Sequence, residues 1–241
     1  MSTHSPVQRA SSAVDLDWRS VARLIDHTLL RADTTRQQVA QLCAEATHFG
    51  FAAVFAHPTY LAQAVAALHL APVKVGTTVG FPLGAALTTV KRFESAEAVR
   101  LGADEIDMVL NVGALKSGDR VLVESDIRSV AEIAHRAGAI LKVILETALL
   151  TRDEKVLACE LAVSAGADFV KTSTGFAGGG ATVEDIALMR TVVGERAGVK
   201  ASGGIRTAAD VAAMLNAGAD RLGTSSGVAI MLELGAPPLK Q

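Results

Sequence analysis

The sequence predicts an α/β fold in which eight strand and helix units close into a single (β/α)8 barrel. Apolar runs of strand length alternate with longer stretches of helical period along the whole chain, and eight such units fit. The 241 residues also lie close to the roughly 250 that are typical of this architecture. A doubly wound open sheet uses the same alternation, but the number of units favours the closed barrel. We therefore predict a TIM barrel with a short N-terminal extension.

The eight predicted strands are short β-branched or apolar runs that are bounded by small turn residues. A run of this length and composition is typical of a buried strand. In chain order the predicted strands span residues 24–28, 52–55, 74–79, 105–109, 141–145, 169–172, 199–202 and 221–225.

The predicted helices alternate with these strands and carry recognisable ends. They span residues 35–48, 59–68, 88–100, 119–136, 151–165, 182–193, 207–217 and 227–234. The tripeptide Gly-Ala-Asp occurs three times between a helix and a strand, and glycine there supplies the left-handed conformation that ends a helix. Three helix starts resemble capping boxes, at Thr35 with Gln38, Thr182 with Asp185 and Thr207 with Asp210.

The chain is predicted to form one domain, because no Pro- or Ser-rich linker interrupts it internally. The barrel is assigned to residues 15–235. Residues 1–14 are predicted to be a flexible N-terminal tail, and residues 236–241 a short C-terminal tail.

The composition excludes several classes of function. A formal net charge of −2 gives no general attraction to nucleic acid or to anionic membranes. No apolar segment approaches the roughly 18 to 20 residues that cross a bilayer, and the first residues lack the apolar core of a secretory signal. Cys43 and Cys159 show neither CxxC spacing nor a nearby histidine, which favours buried free thiols in a reducing compartment over a zinc site. We predict a cytoplasmic protein that holds no metal.

Lys171 and Lys200 stand at the ends of two consecutive predicted strands, and Gly, Ser and Thr residues follow each of them. In a barrel of this kind, active-site side chains project from the carboxyl ends of the strands. Burial and a second cation both disfavour the charged form of lysine, so we expect an amine that is partly neutral and nucleophilic, as Schiff-base formation requires. The alternative is that one or both lysines extend to solvent at the barrel rim.

Asp107 and Lys142 are further charges within apolar runs. A carboxylate among Ile, Met and Val needs a partner or a task. Asp107 is therefore either the partner of a lysine in a core ion pair or a proton relay beside the lysines. Lys142 is expected to pair with Glu146 or Asp107 and to play a supporting electrostatic role.

Two loops after the last strands are rich in glycine and serine. Ser202-Gly203-Gly204 follows the seventh predicted strand, and Gly223-Thr224-Ser225-Ser226-Gly227 follows the eighth. Glycines let backbone N–H groups approach an anion, and barrels of this kind usually bind phosphate at these two loops. Such pairs of residues are also common in ordinary turns. Their occurrence at both positions predicts a phosphate-bearing ligand.

Six segments together resemble the deoxyribose-phosphate aldolase family. The resemblance runs from about residue 24 to the last helix, and the two lysine segments are its most specific part. The segments are LIDHTLL at 24–30, VGFP at 79–82, EIDMV at 105–109, LKVILET at 141–147, FVKTSTGF at 169–176 and VKASGGIRT at 199–207.

This resemblance implies a metal-independent class I aldolase of deoxyribonucleotide catabolism. The reaction implied is the reversible cleavage of 2-deoxy-D-ribose 5-phosphate to acetaldehyde and D-glyceraldehyde 3-phosphate through a lysine Schiff base. Lys171 matches the Schiff-base lysine, Lys200 the lysine that perturbs it, and Asp107 the proton relay. No cofactor beyond the covalent imine is implied, the partners are the phosphosugar and the aldehydes, and a homodimer is compatible with the sequence. Substrate or phosphate contacts are expected at Thr174, Gly203, Gly204, Ser225 and Ser226, and supporting roles at Lys142, Asp26 and Thr28.

The chain departs from the family at two points. Phe55 stands where members usually carry a cysteine after the second strand, so a different pocket width near the aldehyde is expected. The chain ends in PPLKQ without the terminal tyrosine that some members use near the site, which leaves its proton step to Asp107, Lys200 and water. Two other functions stay open at this point: a phosphosugar isomerase or epimerase in which the lysines serve only as charges, and a phosphosugar-binding protein without catalytic activity.

Overall fold

The computed structural model describes residues 16–239, which contain eight parallel strands closed into a barrel. Each strand pairs with the next, and the eighth pairs with the first, so the predicted (β/α)8 barrel is confirmed. The strands are β1 (Ile25–Leu29), β2 (Ala53–Ala56), β3 (Lys74–Val79), β4 (Glu105–Val109), β5 (Ile140–Ile144), β6 (Phe169–Lys171), β7 (Gly198–Ser202) and β8 (Arg221–Thr224). The predicted N-terminal tail, residues 1–14, lies outside the described residues.

All eight predicted helices are present, with ends that differ from the prediction by up to two residues. Short 3-10 turns at Pro58–Tyr60 and Thr147–Leu149 precede two of the helices. The helices are α1 (Trp18–Ala22), α2 (Arg36–Phe49), α3 (Leu61–Leu68), α4 (Thr88–Arg100), α5 (Val112–Lys116), α6 (Arg120–Arg136), α7 (Arg152–Ser164), α8 (Val183–Val193), α9 (Ala208–Ala217) and α10 (Gly227–Glu233). The sequence did not indicate α1 or α5, because five residues are too few to show a helical period.

The three Gly-Ala-Asp junctions fasten the amino-terminal end of the barrel. Each glycine has a positive φ, so it ends its helix as predicted. Each aspartate then accepts a hydrogen bond from the backbone N–H of the second residue of the preceding strand in the sheet. The bonds are Val75 N to Asp104 at 2.9 Å, Leu141 N to Asp168 at 2.8 Å and Val199 N to Asp220 at 2.8 Å.

The helices pack on the outer face of the barrel, and buried aliphatic side chains fill the space between helices and strands. Cys43 on α2 and Cys159 on α7 belong to this core as free, buried thiols. Burial raises the pKa of Cys43 to about 11 and, as the largest cause, that of Cys159 to about 12. Between residues 16 and 239, no helix is long and apolar enough to cross a membrane.

The described part of the predicted C-terminal tail packs against the barrel. Ala236 is buried, and its N–H donates to the carbonyl of Met231 at 2.9 Å. The carbonyl of Pro237 lies 3.1 Å from Nε2 of His48 on α2. The last two residues, 240–241, lie outside the described residues.

The pairing register sets which strand residues face the interior. Asp107 on β4 pairs with Lys142 on β5, and Lys171 on β6 pairs with Lys200 on β7. Paired residues of neighbouring strands project to the same face of a sheet. These four side chains therefore converge inside the barrel.

Candidate active site

Seven ionisable side chains meet inside the barrel, and we refer to them as the charged cluster. Its four cations outnumber its three carboxylates by one. Buried charges are stable only when they are paired, so the excess favours the neutral form of one amine. The members are Asp26 from β1, Glu105 and Asp107 from β4, Lys142 from β5, Lys171 from β6, Lys200 from β7 and Arg221 from β8.

Asp107 is the centre of this cluster and is fully buried. Its Oδ2 accepts hydrogen bonds from the Nζ of Lys171 at 2.8 Å and from the Nζ of Lys200 at 2.7 Å. Its Oδ1 accepts from the Nζ of Lys142 at 3.2 Å. A single carboxylate oxygen therefore links the two lysines that the sequence analysis singled out.

Asp26 and Glu105 neutralise the deeper part of the cluster. Lys200 Nζ lies 2.5 Å from Asp26 Oδ2, and Arg221 Nε donates to Asp26 Oδ1 at 2.9 Å. Glu105 pairs with Lys142 and lies 3.1 Å from the guanidinium of Arg221. These contacts close a network in which every charge has an opposite neighbour.

The pKa values of the cluster reflect a contest between burial and these pairings. Burial raises the pKa of Asp26, but Lys200, Lys142 and Arg221 outweigh it and lower the value to about 2. The same contest holds the pKa of Asp107 well below its usual range. Burial tends to lower the pKa of Lys142, but the three carboxylates outweigh it and raise the value. For Lys200 burial prevails over Asp107 and Asp26, so its pKa falls to about 8.

One member of the cluster reaches a cavity at the carboxyl ends of the strands. Lys171 lines this cavity of about 320 Å³, whereas Lys142 and Lys200 are completely buried beneath it. Thr28 lines the same cavity, and its hydroxyl donates to the carbonyl of Asp26 at 2.9 Å. The alternative of rim lysines extended into solvent does not apply to either Lys171 or Lys200.

The two glycine and serine loops line the same cavity as Lys171. Gly203, Gly204, Ser225 and Ser226 all line it, and Arg206 adds an exposed cation. Among the described residues, the backbone N–H groups of Gly203, Gly204 and Ser225 have no protein acceptor. Free N–H groups converging on one space are suited to bind an anion. The structure thus brings the predicted phosphate loops and Lys171 to one cavity.

Thr174 is held on the cavity wall by Glu146. Its N–H lies 3.2 Å from both carboxylate oxygens of Glu146, and its hydroxyl also contacts that carboxylate. Glu146 is the one non-glycine with positive φ in residues 16–239, at 58°, which turns its side chain towards the loop after β6. The prediction that Lys142 pairs with Glu146 or Asp107 therefore holds for Asp107 only.

Two members of the cluster, Glu105 and Arg221, were not predicted from the sequence. Glu105 is the first residue of a predicted strand, a position that does not indicate burial, yet it is 1% exposed and faces Arg221 across the barrel. The two residues lie 116 positions apart, and no local pattern reports such a contact. The alternation of side chains along a strand could have indicated the burial of Glu105. Glu105 and Asp107 are two positions apart on β4, so both side chains point to its inner face.

Phe55 lies below the cavity and is not one of its lining residues. It is 1% exposed, and its ring contacts the cluster lysines from the β2 side. A different pocket width near the aldehyde stays a prediction from the sequence.

No group of three or more His, Cys, Asp or Glu side chains within residues 16–239 is arranged to hold a metal ion. The three carboxylates of the cluster are occupied by lysine and arginine. The site therefore presents an amine and anion-binding N–H groups to a ligand.

Comparison with known proteins agrees with this geometry. A deoxyribose-phosphate aldolase of Halalkalibacterium halodurans is 58% identical over 214 residues, which cover 88% of this chain and 95% of that protein. The tetrameric deoxyribose phosphate aldolase structure from Aeropyrum pernix superposes with a TM-score of 0.84 at 34% identity, covering 89% of this chain and 90% of that one. A crystal structure from Coccidioides immitis, which carries the same name provisionally, gives a TM-score of 0.88 at 46% identity, covering 90% and 87%. Residues 20–233 match the model of the DeoC/LacD family aldolases, and the chain belongs to that family.

Proposed function

We propose that this aldolase cleaves 2-deoxy-D-ribose 5-phosphate reversibly to acetaldehyde and D-glyceraldehyde 3-phosphate through an imine on Lys171. The observation that carries the proposal is that Lys171 reaches the cavity while its amine shares one oxygen of Asp107 with buried Lys200. The names of the similar proteins point to the same substrate.

The bond changes follow from an amine facing a sugar aldehyde. Neutral Lys171 adds to C1 of the open-chain sugar, and loss of water gives an iminium. The electrons of the C2–C3 bond then form a C1=C2 bond and neutralise the iminium nitrogen. The C3 hydroxyl gives its proton to water beside Asp107 and becomes the aldehyde of the three-carbon product, and this proton is available for the enamine in the next step. Protonation of the enamine at C2 and hydrolysis release acetaldehyde and restore the amine.

Asp107 and Lys200 manage the protons of this sequence. Asp107 is a poor proton acceptor, because three lysines keep its carboxylate ionised. Its Oδ2 can instead orient both amines. The proton that Lys171 loses before it attacks then passes to Lys200, directly or through water, and leaves Lys200 as the ammonium and Lys171 as the neutral amine. The pKa of Lys200, about 8, is suited to give and take a proton near neutral pH.

The phosphate loops set the position of the sugar carbons. A phosphate on the N–H groups of Gly203, Gly204 and Ser225 anchors the far end of the chain, and Arg206 adds opposite charge. Holding one end while Lys171 binds the other makes the reaction effectively unimolecular. Thr28, Thr174 and Ser226 complete the wall of this site, and Asp26 and Lys142 support it from below.

The iminium nitrogen supplies the positive charge that draws electrons out of the breaking bond. We therefore propose that the reaction is independent of metals and of other cofactors. Membership of a homodimer, a cytoplasmic location and a role in deoxyribonucleotide catabolism stay predictions from the sequence.

The test is the cleavage rate of 2-deoxyribose 5-phosphate in two lysine variants. Lys171→Leu should abolish turnover with the fold retained, since no other cluster lysine reaches the cavity. Lys116→Leu is the matched control, because Lys116 is half-exposed and pairs with Glu154 on the helical shell. Retained turnover in Lys171→Leu would refute the proposal. Binding of the phosphosugar without turnover by the unmodified protein would favour the binding-protein alternative, and isomer formation without cleavage would favour the isomerase.

A further inference from the structure

The ring of Phe55 lies unequally close to the three lysines of the charged cluster. Its centroid is 4.0 Å from the Nζ of Lys200, 4.6 Å from that of Lys142 and 6.0 Å from that of Lys171. An ammonium within about 6 Å of an aromatic face is attracted by the ring, and the attraction is larger when both are out of water. The ring therefore favours positive charge at Lys200 much more than at Lys171.

Gly76 on β3 makes room for this ring. A Cβ at Gly76 would lie 2.3 Å from the Cζ of Phe55, so any other residue at position 76 would displace the phenyl group. The two residues are paired in the register between β2 and β3. Phe55 is therefore held in place by the packing of two strands.

The excess cation of the cluster gives this placement a chemical consequence. The excess favours one neutral amine. The carboxylates favour positive charge on Lys200 over Lys171, because Lys200 contacts both Asp26 and Asp107 whereas Lys171 contacts Asp107 only. Burial acts against charge on Lys200, since it lies completely inside the barrel. The face of the Phe55 ring, 4.0 Å from the ammonium, offsets part of the energetic cost of burying that charge.

We propose that Phe55 is a positioning residue that keeps Lys200 as the ammonium beside Asp107 and so leaves Lys171 as the amine free to attack. This inference rests on the proposed Schiff-base function and deepens it. The groups that face Lys200 from the surrounding strands are Asp26, Asp107, Lys142 and Lys171, with Glu105 and Arg221 in the next layer. The ring of Phe55 is a further direct contact of the ammonium, at 4.0 Å.

The experiment measures kcat/KM for 2-deoxyribose 5-phosphate cleavage against pH in four proteins. They are the unmodified enzyme, Phe55→Leu, Phe55→Leu/Gly76→Ala and Phe169→Leu. The double variant replaces part of the lost volume with an aliphatic group and no ring face. Phe169→Leu is the matched control. Phe169 also packs over a glycine, Gly198, but the ammonium that its ring faces is that of Lys142, at 5.9 Å.

The unmodified enzyme should lose kcat/KM as the pH rises through the pKa of Lys200, about 8. Without the ring the ammonium of Lys200 is less favoured, so this alkaline fall should move to lower pH by about half to one unit. Phe55→Leu and the double variant should show the same shift, and Phe169→Leu should keep the original profile even if it turns over more slowly.

Several results would overturn the proposal. They are an unshifted profile in Phe55→Leu, a profile restored in the double variant, or an equal shift in Phe169→Leu, since the last two would indicate packing rather than charge. If Phe55→Leu does not fold, 3,5-difluorophenylalanine at position 55 preserves the shape and weakens the ring face, and an unshifted profile there refutes the proposal. Borohydride trapping of acetaldehyde on Lys171 in the same variants separates the two levels: a trapped adduct with an unshifted profile rejects the role of Phe55 alone, and no adduct in any folded protein rejects the proposed function.

Discussion

Two regions of the molecule bury lysines completely, and they differ in charge balance and in access. Outside the barrel, Lys91 on α4 contacts Asp126 on α6 at 2.5 Å and donates to the carbonyl of Val109 at 3.0 Å. That region holds one cation and one carboxylate, and neither residue lines the active-site cavity. Inside the barrel, four cations face three carboxylates, and Lys171 reaches the cavity.

The comparison separates a structural buried charge from a reactive one. A balanced, enclosed pair fixes the position of a strand end, here the carbonyl of Val109 on the same strand as Asp107. An unbalanced cluster with one amine at the cavity places a nucleophile where a ligand can reach it. Burial of a lysine is therefore insufficient as a sign of catalysis, whereas burial with an excess of cations and a cavity is informative.

Replacing the central carboxylate should have the largest effect and should distinguish the two regions. Asp107→Asn leaves four cations facing two carboxylates and removes the oxygen shared by Lys171 and Lys200. We expect kcat/KM to fall by about 10²- to 10⁴-fold, the range found for lost proton-transfer groups. Asp126→Asn is the matched control, because it also removes a buried carboxylate and should retain the rate per folded molecule. Equal losses of rate in both variants would contradict the distinction.

The second prediction concerns the structural pair. Lys91→Met leaves Asp126 buried without a cation, and breaking a buried pair in this way costs about 3–5 kcal/mol of unfolding free energy. The double variant Lys91→Met/Asp126→Leu should recover most of that loss, because an apolar pair of similar volume carries no desolvation penalty. Urea unfolding measures both. A double variant no more stable than Lys91→Met would show that the pair is not coupled as the contacts indicate.

The third prediction is a pH dependence of smaller size. The cluster lowers the pKa of Asp26 from 3.8 to about 2, so its stabilisation is complete above the ordinary value and is lost as the pH falls through about 2. A shift of this size corresponds to about 2 kcal/mol. Unfolding free energies measured from pH 5 to pH 2 should therefore fall less steeply in Asp26→Asn than in the unmodified protein. The exposed control Asp153→Asn should follow the unmodified curve, and parallel curves for all three proteins would refute the assignment.

Much of this architecture was predictable because local signals agreed with one another. Strand runs, helix caps and the Gly-Ala-Asp junctions each mark element ends within a few residues, and their number selects the closed barrel. The lysines could be found because a charge at the end of an apolar run conflicts with its surroundings. That same conflict identified Asp107.

The remaining parts depend on contacts between distant segments. Arg221 contacts Asp26, which lies 195 positions away, and Glu105 lies opposite Arg221 only because the barrel is closed. Lys91 lies in a polar helical stretch that gives no sign of burial. The contact of Phe55 with the lysines requires the empty position of Gly76 on the neighbouring strand. No local sequence pattern predicts these contacts.

The most direct test of the central claim is to trap the imine. The protein is incubated with acetaldehyde and borohydride, digested, and mapped by peptide mass spectrometry. Reduction should leave an ethyl group on Lys171, the cluster lysine that lines the cavity, and Lys142 and Lys200 should be unmodified. An adduct on Lys200 or Lys142, or no adduct in folded protein, would contradict the account.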